Sequence, residues 1–200
     1  MLVTRCLVLC AVLAFETLAA GQHLTAPTNV RSNTLSKITA DCNVQPRSWA
    51  PPARVVGDAK TATLNTTDVQ QNSNIAVTAS CVTSDGKLHA LSTMVHVIYS
   101  PPPAAACTAT PTTVFAGEPV DVTATGTSFD AENKVIYHWI SNGGSLNGKN
   151  DQTARIDTTG LAPGSYTASA TITDPQMTKN GTVTCSASFN VAEKPRNPRQ

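Results

Sequence analysis

The sequence predicts an all-β protein of two β-sandwiches in tandem behind a short export segment. Three observations carry that prediction. Apolar and polar residues alternate with a period of two, a proline triplet divides the chain, and the two halves repeat one another.

The alternation is plainest in the second half. Within Pro119–Thr125, Val120, Val122 and Ala124 fall on one face. Lys134–Ile140 predicts a second strand. Tyr166, Ala168, Ala170 and Ile172 mark a third, and Val183, Cys185, Ala187, Phe189 and Val191 a fourth. A period of two buries one face of a strand and leaves the other wet. Ala116–Pro119, Ser141–Gly144 and Ala162–Ser165 punctuate these runs with turn residues. Several short strands at this spacing predict a sandwich.

Composition agrees. Hydrophobic residues make up 40% of the chain and charged residues 14%, against about 25% in ordinary soluble domains. With 14 Lys and Arg against 13 Asp and Glu, no basic field exists to hold nucleic acid.

Pro101-Pro102-Pro103 marks the boundary, because a proline triplet cannot lie in a central strand. It separates a first sandwich, 24–100, from a second, 107–192, with 101–106 as a Pro/Ala linker and 193–200 as a flexible tail. The repeat crosses this boundary. Thr61–Val69 aligns with Thr153–Leu161, Ile75–Val82 with Tyr166–Thr173, and Ser48-Trp49 with His138-Trp139.

Residues 1–20 read as a signal peptide. Arg5 precedes a short apolar run, Cys6–Phe15, and small residues follow at Ala19-Ala20-Gly21. The run is too short to cross a hydrocarbon core of about 30 Å. Cleavage after Ala19 or Ala20 leaves no membrane span and delivers a secreted chain, periplasmic or extracellular. Cys6 and Cys10 leave with the segment. Cys42, Cys81, Cys107 and Cys185 remain, none in metal-binding spacing.

The second half resembles bacterial PKD-like and related immunoglobulin-like repeats of secreted proteins. The resemblance rests on Cys107–Val114, Ala116–Ala124, Tyr137-His138-Trp139 and Thr158–Tyr166. It implies two tandem immunoglobulin-like (PKD-like) sandwiches with Trp49, Trp139 and Tyr166 as core aromatics. It also implies a binding, spacing or adhesion module. Ile140–Gly144 departs from the glycine- and aspartate-rich turn usual in PKD domains. Cys42 and Cys81 match the inter-sheet bridge position of an immunoglobulin domain. Four cysteines allow three connectivities; the simplest pairs Cys42 with Cys81 and Cys107 with Cys185.

No catalytic constellation emerges. His23, His89, His96 and His138 fall in neither a nucleophile motif nor a zinc motif. Asp130, Glu132 and Asn133 form the best oxygen cluster, a weak calcium candidate against an ordinary polar turn. Asn65-Thr66-Thr67 and Asn180-Gly181-Thr182 fit the N-glycosylation pattern. The chain has 2 Trp, 3 Tyr and 4 Phe, too few rings for a sugar-stacking platform, although Phe129 in a loop is one candidate. The reading is therefore a non-catalytic, structural or adhesive module without cofactors. Its partner is a protein or a cell-surface or cell-wall component. The alternative is a glycan- or cell-wall-binding protein, and a hydrolase using Asp130 or Glu132 is the third reading.

Overall fold

Strand formation follows the small apolar residues. Ala, Val and Ile at alternate positions turn inward, and Thr and Ser between them turn outward, where β-branched side chains suit a pleated surface. The computed structural model describes residues 22–42, 48–57, 60–130 and 133–195. The signal segment, Glu132 and 196–200 lie outside the described residues.

The first half holds β1 (His23–Thr25), β2 (Asn29–Arg31), β3 (Leu35–Asp41), β4 (Ser48–Ala50), β5 (Val55–Val56), β6 (Thr61–Asn65), β7 (Ser73–Val82) and β8 (Leu88–Ile98). The second holds β9 (Ala104–Thr110), β10 (Thr113–Phe115), β11 (Val120–Thr127), β12 (Ile136–Ser141), β13 (Ser145–Asn147), β14 (Thr153–Asp157), β15 (Gly164–Thr173) and β16 (Thr182–Ala192). The sheets run β1-β3-β6-β5 and β2-β8-β7-β4, then β9-β11-β14-β13 and β10-β16-β15-β12. The second pair repeats the first strand for strand. In both halves the short second strand joins the last strand in parallel and the other pairs are antiparallel. This is the immunoglobulin-like sandwich, twice.

One boundary differs from expectation. Ala104–Ala106, expected in the linker, belong to β9 and pair with Thr127, Gly126 and Thr125 of β11. Small alanines fit against a glycine-bearing strand, so the spacer contracts to the prolines.

Strand register places the two halves in correspondence. Trp49 lies opposite Ala79 and Trp139 opposite Ala170. Both tryptophans are buried, and Trp139 Nε1 donates to Asp151 O at 3.1 Å. Tyr166 is partly buried. Its ring stacks on Phe189, with centroids 5.6 Å apart, and its hydroxyl donates to Ala162 O at 2.8 Å. Phe129 is not a free loop ring. It packs against the core over Gly126, where an added Cβ would lie 2.6 Å from the ring.

A further element is common to both halves. Asn65-Thr66-Thr67 and Asp157-Thr158-Thr159 close the same turn. The Asn65 and Asp157 side chains each accept from the amide two residues on, at 2.8 and 2.9 Å. Asp68 and Gly160 follow with φ of 57° and 78°. Thr66 and Thr158 are fully buried. Thr66 Oγ1 lies 2.7 Å from Arg31 O and accepts from Thr34 N at 2.9 Å. Thr158 Oγ1 donates to Glu118 O at 2.6 Å and accepts from Gly117 N at 3.0 Å. Each threonine thus ties the turn after β6 or β14 to the turn before β3 or β11.

Replacing either hydroxyl leaves buried backbone groups unpaired. Thr66→Val and Thr158→Val should each lower the unfolding free energy by about 1–3 kcal/mol. Thr123→Val, on an exposed face, should change it by less than about 0.5 kcal/mol. Urea denaturation of the three variants checks this.

Candidate interaction site

Two disulfides close the sandwiches. Cys42 and Cys81 bridge the end of β3 to β7 with Cα atoms 5.5 Å apart, and Cys107 and Cys185 bridge β9 to β16 at 5.4 Å. Both separations suit a disulfide. The bridges span sequence separations of 39 and 78 residues. By chain entropy these loops correspond to stabilisations of about 4 and 4.5 kcal/mol.

The bridges occupy different positions in the repeat. In the second half, the positions of Cys42 and Cys81 hold Gly126 and Ile172; a Cβ at Gly126 would sit 3.5 Å from Ile172 Cδ1. In the first half, the positions of Cys107 and Cys185 hold Leu24 and Leu91, both packed against the core. Each half fills with packing the place where the other has a bond.

The halves meet at a built junction. The turn between β2 and β3 of the first sandwich lies along the β15–β16 loop of the second. Leu35 N donates to Gln176 O and Thr178 N to Asn33 O, both at 2.8 Å. Thr34 and Met177 form an antiparallel bridge between them. Around this backbone pairing, Arg31 Nη1 donates to Ser128 O at 2.6 Å, Thr67 Oγ1 to Thr178 Oγ1 at 2.6 Å, and Lys179 Nζ pairs with Asp68 at 2.6 Å.

Asp174 shapes the loop that docks. It is 1% exposed, its Oδ1 accepts from Gln176 N at 2.8 Å and its Oδ2 from Asn133 Nδ2 at 2.9 Å. Asn133, a calcium candidate, thus directs its amide nitrogen to Asp174. Asp130 lies 4.0 Å from Arg31 Nε, so a guanidinium already stands beside that carboxylate. Glu132 lies outside the described residues. Among the described residues, no three His, Cys, Asp or Glu side chains cluster as a metal site. Clefts of about 420 and 280 Å³ flank the junction, the first lined by Arg31, Lys37, Asp130 and Lys134, the second by Tyr99, the proline triplet and Lys179.

Charge is segregated between the faces. The eight strands of the β2-β8-β7-β4 and β10-β16-β15-β12 sheets contain one charged residue, Arg31. Their outer faces carry paired hydroxyls: Thr78 with Ser92 at 2.9 Å, Ser169 with Ser186 at 2.7 Å, Thr173 with Thr182 at 3.1 Å. The opposite sheets carry Lys37, Asp41, Asp121, Arg155 and Asp157. The hydroxyl of Thr159, with its amide, holds the Asp157 carboxyl below the usual aspartate range. Lys60 does the same for Asp41. His96 and His138 face outward beside Asn74 and Asn150.

Sequence reasoning did not single out Asp174, Thr66 or Thr158. The repeated Asn/Asp-Thr-Thr triplet was the available signal for the threonines. Nothing local in the sequence marks Asp174, because its role depends on the fold of the loop around it.

Replacing both cysteines of either bridge with alanine should cost about 2–5 kcal/mol in denaturant unfolding. Peptide mass mapping without reduction should return the two pairs. At the junction, Asp174→Ala should cost about 1–3 kcal/mol and speed amide exchange at Leu35 and Thr178. Lys179→Ala removes an exposed ion pair and should cost less than about 1 kcal/mol.

No protein-family description matches the chain, and no curated protein matches it. Among solved structures, the chain is similar to fibronectin(III)-like modules of Clostridium thermocellum CbhA at 17% identity, covering 87% of this chain and 98% of that one, with a TM-score of 0.40. It is similar to the D0-D1 domain of intimin at 16% identity, with 85% and 97% covered and a TM-score of 0.35. A chimeric titin Z1Z2 gives 14% identity, 88% and 100% covered, and a TM-score of 0.44.

Proposed function

We propose that the chain is an exported, non-catalytic, PKD-like module that mediates protein or cell-surface contact. The observation that carries this reading is the charge-poor pair of sheets, β2-β8-β7-β4 and β10-β16-β15-β12, in sandwiches joined by backbone pairing. Interface cores are depleted of charge, because burying an unpaired charge is costly. A sheet face of hydroxyls and exposed apolar side chains, Leu88, Met94, Ile136 and Ile140 among them, meets another protein without that cost. Two disulfides fit an oxidising compartment, in keeping with a cleaved signal at residues 1–20.

The junction supports the same reading. The β15–β16 loop of the second sandwich is used in docking onto the first. The corresponding β7–β8 hairpin of the first sandwich is exposed at Asp85–Ala90. Loops clustered at one end of such a sandwich are its usual recognition elements.

The test is saturable binding of the exported chain to intact cells of its source. Binding that disappears after protease shaving of the cell surface, and withstands competition by soluble cell-wall glycans, is the expected result. Binding that survives proteolysis and is displaced by glycans would sink the protein-contact reading in favour of glycan recognition.

A further inference from the structure

The two last strands, β8 and β16, differ in how their outer edges are covered. β16 is flanked by the seven-residue β9, tied to it by Cys107–Cys185. In the first half, β1 has three residues and no bridge. The short β2 pairs with β8 from His96 onward, and among the described residues no strand pairs with that edge from Leu88 to Met94.

Parity says which backbone groups this edge presents. His96 donates outward to Thr28 O, while Val97 O accepts from Asn72 on the β7 side. The N–H and C=O groups of Leu88, Ala90, Ser92 and Met94 therefore point away from β7. An unpaired edge of this length, without charge, bulge or proline, is a template for another strand. Leu88 and Met94 are 63% and 56% exposed, on the outer face.

We propose that the occupant is a second copy of the chain, with two β8 strands paired antiparallel about a two-fold axis at Leu91. This register is self-complementary. Leu88 meets Met94 of the other copy, Ala90 meets Ser92, and Leu91 meets itself. All the outward backbone groups then fall in hydrogen-bonded pairs, as antiparallel geometry requires. Across the joined sheet, Val82, Leu88, Met94 and Ala76 form one apolar row, and Ser80, Ala90, Ser92 and Thr78 a small hydroxyl-rich one. The absence of charge removes like-charge repulsion, which otherwise opposes self-pairing across a two-fold axis. An edge of seven residues buries less than a standard interface of about 1,200–2,000 Å², so the dimer is weak and concentration-dependent. This inference is independent of the binding reading above.

Sedimentation velocity of the full exported chain over a concentration series tests it. The wild type should show a rising weight-average sedimentation coefficient. Ala90→Pro should abolish the rise without lowering the unfolding temperature, because the N–H it removes faces away from β7. Leu88→Glu and Met94→Lys should each weaken the dimer by about tenfold or more. The double variant should dimerise more tightly than either single one, because Glu at 88 faces Lys at 94 of the other copy. Within one chain these positions lie about 20 Å apart and do not interact. A chain monomeric at its highest soluble concentration, a dimer indifferent to Ala90→Pro, or a double variant no tighter than the singles would each overturn the proposal.

Discussion

Each sandwich closes over small side chains, and that closure is the constraint on which the rest depends. The fully buried positions are mostly Val, Ala and Ile, with Trp139 and Phe189 the largest of them. Such a core removes modest apolar area per residue from water, at about 25 cal/mol per Å². A covalent tie between the sheets is therefore a large share of the stability of a domain of this size. The two halves meet the same need at different places. The first ties the end of β3 to β7 between the sheets, where the second packs Ile172 and Phe129 around Gly126. The second ties β9 to β16 at the side, where the first packs Leu24 and Leu91. The choice of place has a structural consequence: the side bridge holds β9 alongside β16, while the first half's bridge leaves the β8 edge without such a tie.

The junction depends on closure in turn. The turn before β3 is held by the buried Thr66, which fixes Arg31 O and Thr34 N. That same turn presents Asn33 O and Leu35 N to the second sandwich. A residue internal to one domain thus sets the geometry of the surface that docks the other. In the second half the equivalent turn, held by Thr158, has Gly117 with φ of 94° where the first has Asn33 with φ of 61°. Glycine takes this conformation without a Cβ penalty, and asparagine is among the few other residues that tolerate it. The asparagine carries side-chain capacity the glycine lacks: Asn33 Oδ1 accepts from Asp68 N at 3.0 Å, tightening the face that meets Lys179 and Thr178.

Legibility in the sequence followed element length. β11, β15 and β16 have eight to eleven residues, enough for a period of two to stand out, whereas β8, with eleven, exposes Leu88 and Met94 on its outer face and so blurs the alternation. The paired tryptophans anchor the repeat because each faces an alanine on the neighbouring strand, leaving room for the indole. Strands such as β2, β5 and β13 have two or three residues, too few for any period, so neither the parallel pairing nor the two edge strands was visible. Alanine, depleted in strands if anything, gave no sign that β9 begins directly after the prolines. The junction was invisible for a different reason. It is made of loop backbone from two distant segments, and side-chain type says little about where such groups point.

The segregation of charge follows from the same architecture. A sheet buried on one face and wet on the other must make its wet face soluble, usually with charged side chains. Here Thr and Ser do so on two sheets while the ions collect on the other two and at the junction. Hydroxyls that hydrogen-bond across strands, as Ser169 does with Ser186, are already partnered within the sheet. A surface built that way has less hydration to surrender when covered than one built of lysine and glutamate. It also presents no fixed charge for long-range attraction, so contact there is decided at short range by shape and by hydrogen bonding. Edge and face belong together in this respect: on β8 an edge with outward backbone groups borders a face with no charge, and both favour a neighbour that brings a strand rather than an ion.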